Sequence, residues 1–378
     1  MRYFLIAGEA SGDLHGAHLI RAIRQEDSCA TFSFMGGDLM AKEAGNIPII
    51  HYRTMAFMGF FPVLLHLADI HKAAMKVQKA IIDFNPDVVI PIDYSGFNFR
   101  YILPFVHKKV AKASLFYYIP PKVWAWKKGR VADLKRYCSQ VFSIFPFEQD
   151  FLKSRCVNAH YVGNPCVDAV GKYWNLWGTA EIKDRIADLP ISGQPYVALL
   201  PGSRQSEVKS NLPLMLKTLN TYYPTYPCII AGAPGLDLDF YKPLIQGYNV
   251  QVFFDRTYDL LAGADFALVT SGTATLETAL IGTPQIVCYR SIGLSLVNWI
   301  FSLFPIRYFS LVNLVAQAPV IEELLSAQVT PQQLHQAIER LLVSKEKISE
   351  GYSHIRKQLG RYPVARTTAQ LITHSIAH

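Results

Sequence analysis

Two glycine-rich turns, one in each half of the chain, close an apolar run and open a helical pattern. The first is Gly8-Glu9-Ala10-Ser11-Gly12-Asp13, directly after the apolar residues 3–7. The second is Ser271-Gly272-Thr273-Ala274-Thr275-Leu276-Glu277, directly after 266–270. A strand that turns through glycine into a helix offers unpaired N–H groups at the positive end of the helix dipole. Such a turn suits phosphate or another anion. One turn per half predicts two α/β domains facing each other with a ligand between them, hence an enzyme handling a nucleotide and a second substrate.

The rest of the pattern agrees with two α/β halves. The first half reads as strands 3–7, 31–35, 87–92, 114–118 and 140–144, interleaved with helices over 13–25, 67–84, 99–112, 128–137 and 147–155. The second reads as strands 196–200, 227–231, 250–254, 266–270 and 285–289, with helices from 207, over 257–263 and over 273–281. Strands that are apolar throughout and alternate with helices form parallel sheets covered on both faces. Residues 163–195 hold Gly163, Pro165, Gly171, Gly178, Pro190, Gly193 and Pro195 and read as a linker. The tail from 331 reads as amphipathic helix broken at Pro363.

At 378 residues the chain exceeds what one core usually supports. Apolar residues make up 51% and charged residues only 17%, a composition that allows exposed apolar surface as well as large cores. The 37 Lys and Arg against 29 Asp and Glu leave a net charge of +8, which favours phosphates, acidic lipid or nucleic acid as partners. The six cysteines are scattered, without CxxC or His/Cys clusters, and fit a reducing compartment. The N-terminal apolar run reaches Glu9 too soon for a signal peptide and reads as a buried strand.

Several residues stand where chemistry is done. Asp93 ends the apolar run 88–92, the carboxyl end of a buried parallel strand, where open α/β sheets bind ligands. It suits a general base toward a substrate hydroxyl, and equally a cap for the next helix. Gly202, Ser203 and Arg204 end strand 196–200; the glycine admits close approach and the guanidinium fork suits phosphate, against a simple pairing of Arg204 with Glu207. Ser271, Gly272 and Thr273 offer hydroxyls and backbone donors, and Glu277 lies one turn inside, within reach of ribose hydroxyls. Neither GxGxxG nor a Walker sequence is present, which argues against dehydrogenase and kinase readings.

Residues 117–130 mix tyrosines and tryptophans with four cations, including Trp124, Lys127 and Arg130, and read as a ligand loop. Asp237-Leu238-Asp239 looks like the DxD pair that holds a divalent metal in some sugar transferases, but with no third carboxylate nearby it reads as helix capping. His15, His66 and His71 lack ligand partners at useful spacing. Residues 55–68 carry no Asp, Glu, Lys or Arg and include Met58, Phe60, Phe61, Leu64 and Leu65; 291–305 is similar. Both are shorter than the roughly 20 residues of a spanning helix. In a basic protein the first reads as apolar surface that dips into a bilayer or receives acyl chains.

Taken together these segments closely resemble the lipid-A-disaccharide synthase family. The resemblance rests on Gly8 to Asp13, Met58-Gly59-Phe60, Pro86-Asp87 through Asp93, Phe97-Asn98, Tyr118 through Arg130, and Pro146-Phe147-Glu148. It continues through Val162-Gly163 with Pro165, Leu199 through Arg204, Ser271 through Glu277, Tyr289-Arg290 and Asn313-Leu314. They run in order over nearly the whole chain, and Val-Trp-Ala-Trp-Lys is unusually specific. The resemblance implies two Rossmann-like, doubly wound domains facing across a cleft, the B-type glycosyltransferase fold. The expected division is an acceptor-binding domain over 1–165, a UDP-sugar-binding domain over 166–345 and a helical tail over 346–378, with a return to the first domain one course open to it.

The implied reaction joins UDP-2,3-diacylglucosamine to 2,3-diacylglucosamine 1-phosphate, giving the β-1,6-linked disaccharide 1-phosphate and UDP. It implies an inverting displacement at the cytoplasmic face of the inner membrane, with no metal, no cofactor and no nucleic-acid partner. Asp93 would take the proton from the acceptor 6-hydroxyl, Arg204 and the donors at 271–273 would meet the leaving UDP, and Glu277 would hold the ribose. Glu9, Ser11, Gly12, Asp13, Asn98, Trp124, Lys127, Arg130 and Asn313 are the acceptor-side candidates. Pro62, Ser95, Asn164, Val312 and Ser326 depart from the family pattern and bear on the acceptor side and the bilayer-facing loop.

Two rival readings carry their own signatures. Another UDP-sugar enzyme of the same build, a UDP-N-acetylglucosamine epimerase or a muramyl-lipid transferase, would lack the Val-Trp-Ala-Trp stretch. A non-catalytic lipid- or nucleic-acid-binding relative would have little reason to keep the acid, the arginine and the glycine turn together.

Overall fold

The computed structural model describes residues 1–55, 67–121, 123, 129–188, 193–270, 272–290, 308–325, 329–360 and 363–376. The chain divides into two compact units. One is Met1–Asn164 with the last helix, Val364–Ile376; the other is Pro165–Gly360.

The first unit is a six-stranded parallel sheet of β1 (Arg2–Ala7), β2 (Thr31–Met35), β3 (Val88–Ile92), β4 (Ser114–Tyr118), β5 (Gln140–Ser143) and β6 (Ala159–Tyr161), in the order β2-β1-β3-β4-β5-β6. In the central register Leu5 pairs with Phe34 on one side and Ile90 on the other. The strands read as continuous apolar runs because successive side chains enter different cores. Phe4 and Ile6 pack with Ala74, Val77 and Ile81 of the helix Leu67–Phe84 and Leu134 of Arg130–Tyr137. Tyr3, Leu5 and Ala7 pack with Leu19, Ile20 and Ile23 of Ala10–Glu26 and with Val364, Ala369 and Ile372 of the last helix.

The second unit repeats the scheme with β7 (Val197–Leu200), β8 (Cys228–Ala231), β9 (Val250–Phe253), β10 (Phe266–Val269), β11 (Gln285–Tyr289) and β12 (Glu322–Leu325), all parallel, in the order β12-β11-β10-β7-β8-β9. Among the described residues no helix is long and apolar enough to cross a membrane.

Two local readings need correction, and a third, the helical tail broken at Pro363, gains detail. The stretch read as a linker is mostly the helix Pro165–Ala187, bent at Gly178 (φ +59°). Counting breakers misled here: proline is tolerated in a helix's first turn, and Gly171 keeps helical geometry. The helix expected over 99–112 is the short helix Ser95–Phe97, a π-turn Asn98–Ile102 and the helix Leu103–Lys109. The tail is three helices, Pro331–Val343, Lys345–Leu359 and Val364–Ile376; the first two belong to the second unit and only the third, beyond Pro363, to the first.

The bend at Gly178 is braced from both sides. Asp259, 1% exposed, accepts from Tyr173 Oη (2.9 Å), which precedes the bend, and from Arg185 Nε (3.0 Å) and Nη2 (2.7 Å), which follow it. Arg256 Nε adds a further bond at 3.0 Å. Burial alone would raise the Asp259 pKa, but these donors outweigh it and hold the carboxyl below its usual value. Removing the buried carboxylate leaves the partly exposed Arg185 and Arg256 guanidiniums and the Tyr173 hydroxyl without their shared acceptor. Asp259→Ala is therefore expected to cost the folded protein about 3–5 kcal/mol in urea denaturation. Because the native pKa is depressed, the wild-type contribution is complete above the unfolded-state value and fades as pH falls through the native one; the variant lacks that part of the acid dependence.

Candidate functional site

In each sheet the connections leave in opposite directions from two adjacent strands, and the loops at those carboxyl ends form a crevice that the connections do not cover. In the first unit these strands are β1 and β3, and in the second β7 and β10. The two glycine turns of the sequence follow β1 and β10, Asp93 follows β3, and Gly202 follows β7.

At the first switch point the loops interlock. A Cβ on Gly8 would lie 2.2 Å from the Tyr94 ring, so only glycine allows that ring to settle over the β1 turn. Tyr94 also stacks on Phe97 at 5.5 Å. Burial and the nearby Glu9 charge push its phenol up to about 12. Asp93 and Tyr94 both adopt left-handed backbone, φ +43° and +42°, a conformation costing on the order of 1–3 kcal/mol for each such residue. The conformation is held by main-chain bonds: Asp93 N–H donates to Tyr118 O (3.0 Å), and Asp93 O accepts from Tyr117 Oη (2.6 Å) and Asn98 Nδ2 (2.8 Å). Tyr94, not Asp93, occupies the helix cap position. The strained backbone thus presents an exposed carboxylate at the head of a strand.

The neighbours of Asp93 divide into fold and surface. Asn98 is fully buried in the π-turn and steadies the Asp93 carbonyl. Arg130 donates to Ser95 Oγ at 2.9 Å and lies over the Phe99 ring, setting a cation beside the Asp93 loop. Glu9 and Ser11 are exposed in the first glycine turn. Gly12 keeps the helix close to β1, where a Cβ would meet that of Ala7 at 3.2 Å. Asp13 is 2% exposed, and its oxygens accept from the N–H groups of Gly37 (2.7 Å), Leu39 (3.1 Å) and Met40 (3.1 Å). It caps the helix Asp38–Ala44, so the ligand role expected of it is withdrawn.

In the second unit a cavity of about 350 Å³ opens over the ends of β7, β8 and β10, lined by Leu200, Gly202 and Ser203, by Ala231 to Pro234, by Thr257 and Tyr258, and by Thr270, Gly272, Thr273, Ala274 and Glu277. The helix Thr273–Ile281 points its N-terminus here; Thr275 N–H bonds back to Gly272 O at 3.3 Å, which leaves the N–H groups of Thr273 and Ala274 as the donors with no acceptor inside the helix. Gly202 has φ +126°, and a Cβ there would meet Glu207 Cβ at 2.5 Å. Glu207 Oε2 accepts from the N–H groups of Ser203 (2.9 Å) and Arg204 (3.3 Å), fixing the loop. The Arg204 side chain is 79% exposed and reaches Glu207 only at 3.4 Å, just outside the cavity lining. An exposed pair of this kind holds an arginine by about 0–1 kcal/mol, so the guanidinium is easily surrendered to a stronger anion.

Glu277 is half-buried on the cavity wall. Burial raises its pKa, and a hydrogen bond from Tyr258 pulls it part of the way back. The neighbouring Cys166 thiol is buried and kept protonated by burial and by the Glu277 charge.

The remaining candidates fall elsewhere. Asn313 is 1% exposed and wholly engaged: its Oδ1 accepts from Val320 and Ile321 N–H (2.8 and 3.0 Å), and its Nδ2 donates to Ile321 O and Glu323 Oε1 (2.9 and 2.8 Å). It therefore ties its helix to β12 rather than facing an acceptor. Asp237 caps the helix Leu238–Ile245 through Phe240 N–H (2.9 Å), and Asp239 pairs with Lys242 (2.7 Å). Asn164 donates to Ile144 O, and Val312 is core. Ser271, Trp124, Lys127, Met58, Phe60, Phe61, Leu64, Leu65, Pro62, His66 and Ser326 lie outside the described residues, as does all of 291–305.

Sequence reasoning missed Ala231 to Pro234, Tyr258 and Thr270. The first carried a usable signal, since Ala231-Gly232-Ala233-Pro234-Gly235 is a third glycine turn after an apolar strand. Gly232 is needed there because a Cβ would lie 2.4 Å from the Phe254 ring.

Two parallel six-stranded units define the class, the B-type glycosyltransferase and epimerase fold. Among solved structures the chain is similar to UDP-GlcNAc 2-epimerase from Neisseria meningitidis bound to UDP-GlcNAc (TM-score 0.61, 14% identity, all of both chains). It is likewise similar to the Methanocaldococcus jannaschii UDP-GlcNAc 2-epimerase in complex with UDP-GlcNAc and UDP (TM-score 0.62, 12% identity, all of both chains). At such identity the likeness is one of fold. The family is defined by sequence: the Lipid-A-disaccharide synthetase family matches residues 3–374. The lipid-A-disaccharide synthase of Trichlorobacter lovleyi is 35% identical, covering 98% of this chain and 96% of its own. That of Myxococcus xanthus is 32% identical over the same shares. The chain belongs to the lipid-A-disaccharide synthase family.

Gly202→Ala tests the geometry of the cavity loop. The positive φ and the contact with Glu207 predict a loss of about 1–3 kcal/mol in denaturation, although alanine adds only a methyl group.

Proposed function

We propose that this protein transfers a 2,3-diacylglucosaminyl unit from UDP to the 6-hydroxyl of 2,3-diacylglucosamine 1-phosphate, releasing the β-1,6-linked disaccharide 1-phosphate and UDP. The observation that carries the reading is the cavity at the β7–β10 switch point, with a helix N-terminus and an acidic wall residue, in a chain that matches the family from end to end. The epimerase reading has only fold likeness behind it, against 32–35% identity over nearly the whole chain for the synthases.

In this reading the nucleotide binds in the second unit. Its diphosphate meets the N-terminus of the helix Thr273–Ile281, Arg204 leaves Glu207 to join it, and Glu277 accepts from the ribose hydroxyls. Charge that develops on the departing UDP is stabilised by donors already in place. Asp93 of the first unit takes the acceptor hydroxyl proton as that oxygen attacks the anomeric carbon, and the configuration inverts. The strain at Asp93–Tyr94 serves this role by fixing the carboxylate before substrate arrives. Arg130 is placed to meet an anionic group of the acceptor. With +8 net charge and acylated, phosphorylated substrates, the protein works as a peripheral protein at the cytoplasmic face of the inner membrane.

The direct test is incubation of purified protein with both diacylated substrates and detection of the disaccharide by mass spectrometry; absence of product sinks the reading. Asp93→Asn is expected to lower kcat by about 10²–10⁴-fold while UDP affinity is kept. Near-normal turnover in the folded variant would show that the base lies elsewhere.

Binding should also depend on pH with a definite sign. Burial raises the Glu277 pKa, so its carboxylate is lost, as pH falls, earlier than an ordinary glutamate. Calorimetric titration with the UDP-sugar, whose diphosphate carries no proton to titrate there, should show affinity falling on acidification already above the usual glutamate range. Glu277→Gln should bind more weakly and lack that limb.

A further inference from the structure

We infer that Tyr258 is a positioning residue for nucleotide recognition, its hydroxyl aiming the Glu277 carboxylate at the ribose hydroxyls of a nucleoside diphosphate. The inference rests on the nucleotide reading above and deepens it by naming the device that makes the pocket selective for ribose.

The argument begins with what holds Tyr258. Its ring meets that of Tyr173 edge-on, at 5.4 Å between centroids and 81° between planes. Such a pair is worth about 0.5–1.5 kcal/mol beyond its burial and has one preferred geometry. Tyr173 is itself fixed, because its hydroxyl donates to buried Asp259 at 2.9 Å. Asp259 is gripped in turn by Arg185 and Arg256. The bent helix Pro165–Ala187 and the helix Thr257–Gly263 are thereby joined into one rigid support for the Tyr258 ring. Tyr258 lines the cavity alongside Glu277, with its phenol close enough to the carboxylate for each to act on the other's proton affinity. Tyr258 and Thr257 also line a second hollow of about 340 Å³ with Tyr173, Arg185, Arg256 and Asp259, so the support abuts the nucleotide cavity directly.

The chemistry follows from the inventory of donors and acceptors. A carboxylate has more lone-pair directions than a ribose can use, and a glutamate side chain has several rotamers that expose them differently. A phenol that occupies one direction leaves the others pointing one way. Tyrosine suits the task because a neutral donor orients the acceptor without cancelling its charge; burial and Glu277 together keep the Tyr258 phenol protonated. A lysine or arginine here would bind the carboxylate more strongly and compete with the ribose for it.

Tyr258→Phe keeps the ring and the contact with Tyr173 and removes only the hydroxyl. Binding of UDP, 2′-deoxy-UDP and 3′-deoxy-UDP is measured by calorimetry for wild type, Tyr258→Phe and Glu277→Gln, with thermal unfolding to register the fold. Hydrogen bonds to a charged acceptor predict that wild type prefers UDP over a deoxy analogue by about 10- to 100-fold. Tyr258→Phe is expected to bind UDP several-fold more weakly and to lose most of that preference, approaching Glu277→Gln. Tyr258→His, which keeps a ring donor, should recover part of it. A folded Tyr258→Phe protein that discriminates like wild type overturns this inference and leaves the nucleotide reading standing. Wild type that binds none of the three, or binds all three alike, overturns the ribose reading and this inference with it.

Discussion

Parallel pairing governs what this chain can do. Strands that run the same way cannot be joined by a tight turn, so each must cross over through a helix and both faces of the sheet are covered. At the strand ends the crossovers diverge between β1 and β3 and between β7 and β10, leaving crevices there. Every residue with a chemical role in the proposed reaction sits at one of these two ends. The arrangement confines active groups to loops, yet hangs those loops on strands buried on both sides.

The two ends are held in contrasting ways. At the first, strain is accepted: two successive side-chain-bearing residues take left-handed backbone, and the tyrosine and asparagine bonds to the Asp93 carbonyl keep them there. At the second, the demanding conformation falls on Gly202 and Gly272, with φ +126° and +133°, where glycine adopts it at little cost. A catalytic carboxylate gains from being immobilised by its surroundings. A phosphate site needs instead bare backbone that a ligand can approach, which no side chain permits.

Much of this was legible in the sequence. Helix Leu67–Phe84, strand Ser114–Tyr118, helix Thr257–Gly263 and strand Gln285–Tyr289 match their expected ranges because their apolar periodicity is uninterrupted. The edge strands β6 and β12 escaped notice because they are short and half-polar; Ala-His-Tyr and Glu-Glu-Leu-Leu carry little pattern. Glycine turns after strands marked both switch points. Asp13, Asn98 and Asn313 show the limit of such reading. A polar residue in a motif gives no sign of whether it faces a ligand or satisfies buried backbone: Asp13 holds N–H groups at 37–40, Asn98 the Asp93 carbonyl, and Asn313 the backbone at 320–321. Tyr258 was invisible for the same reason, since its meaning lies in Glu277, Tyr173 and Asp259 together.

The return of the last helix to the first unit has a consequence for biosynthesis. Residues 165–360 are contiguous, so that unit can close its core as soon as it has left the ribosome. The unit made first cannot: Tyr3, Leu5 and Ile90 share a core with Val364, Ala369 and Ile372, which emerge only after the second unit. Domains generally fold in order of synthesis. Here the earlier one must wait, with one flank of its sheet incomplete, until the whole second unit has been made.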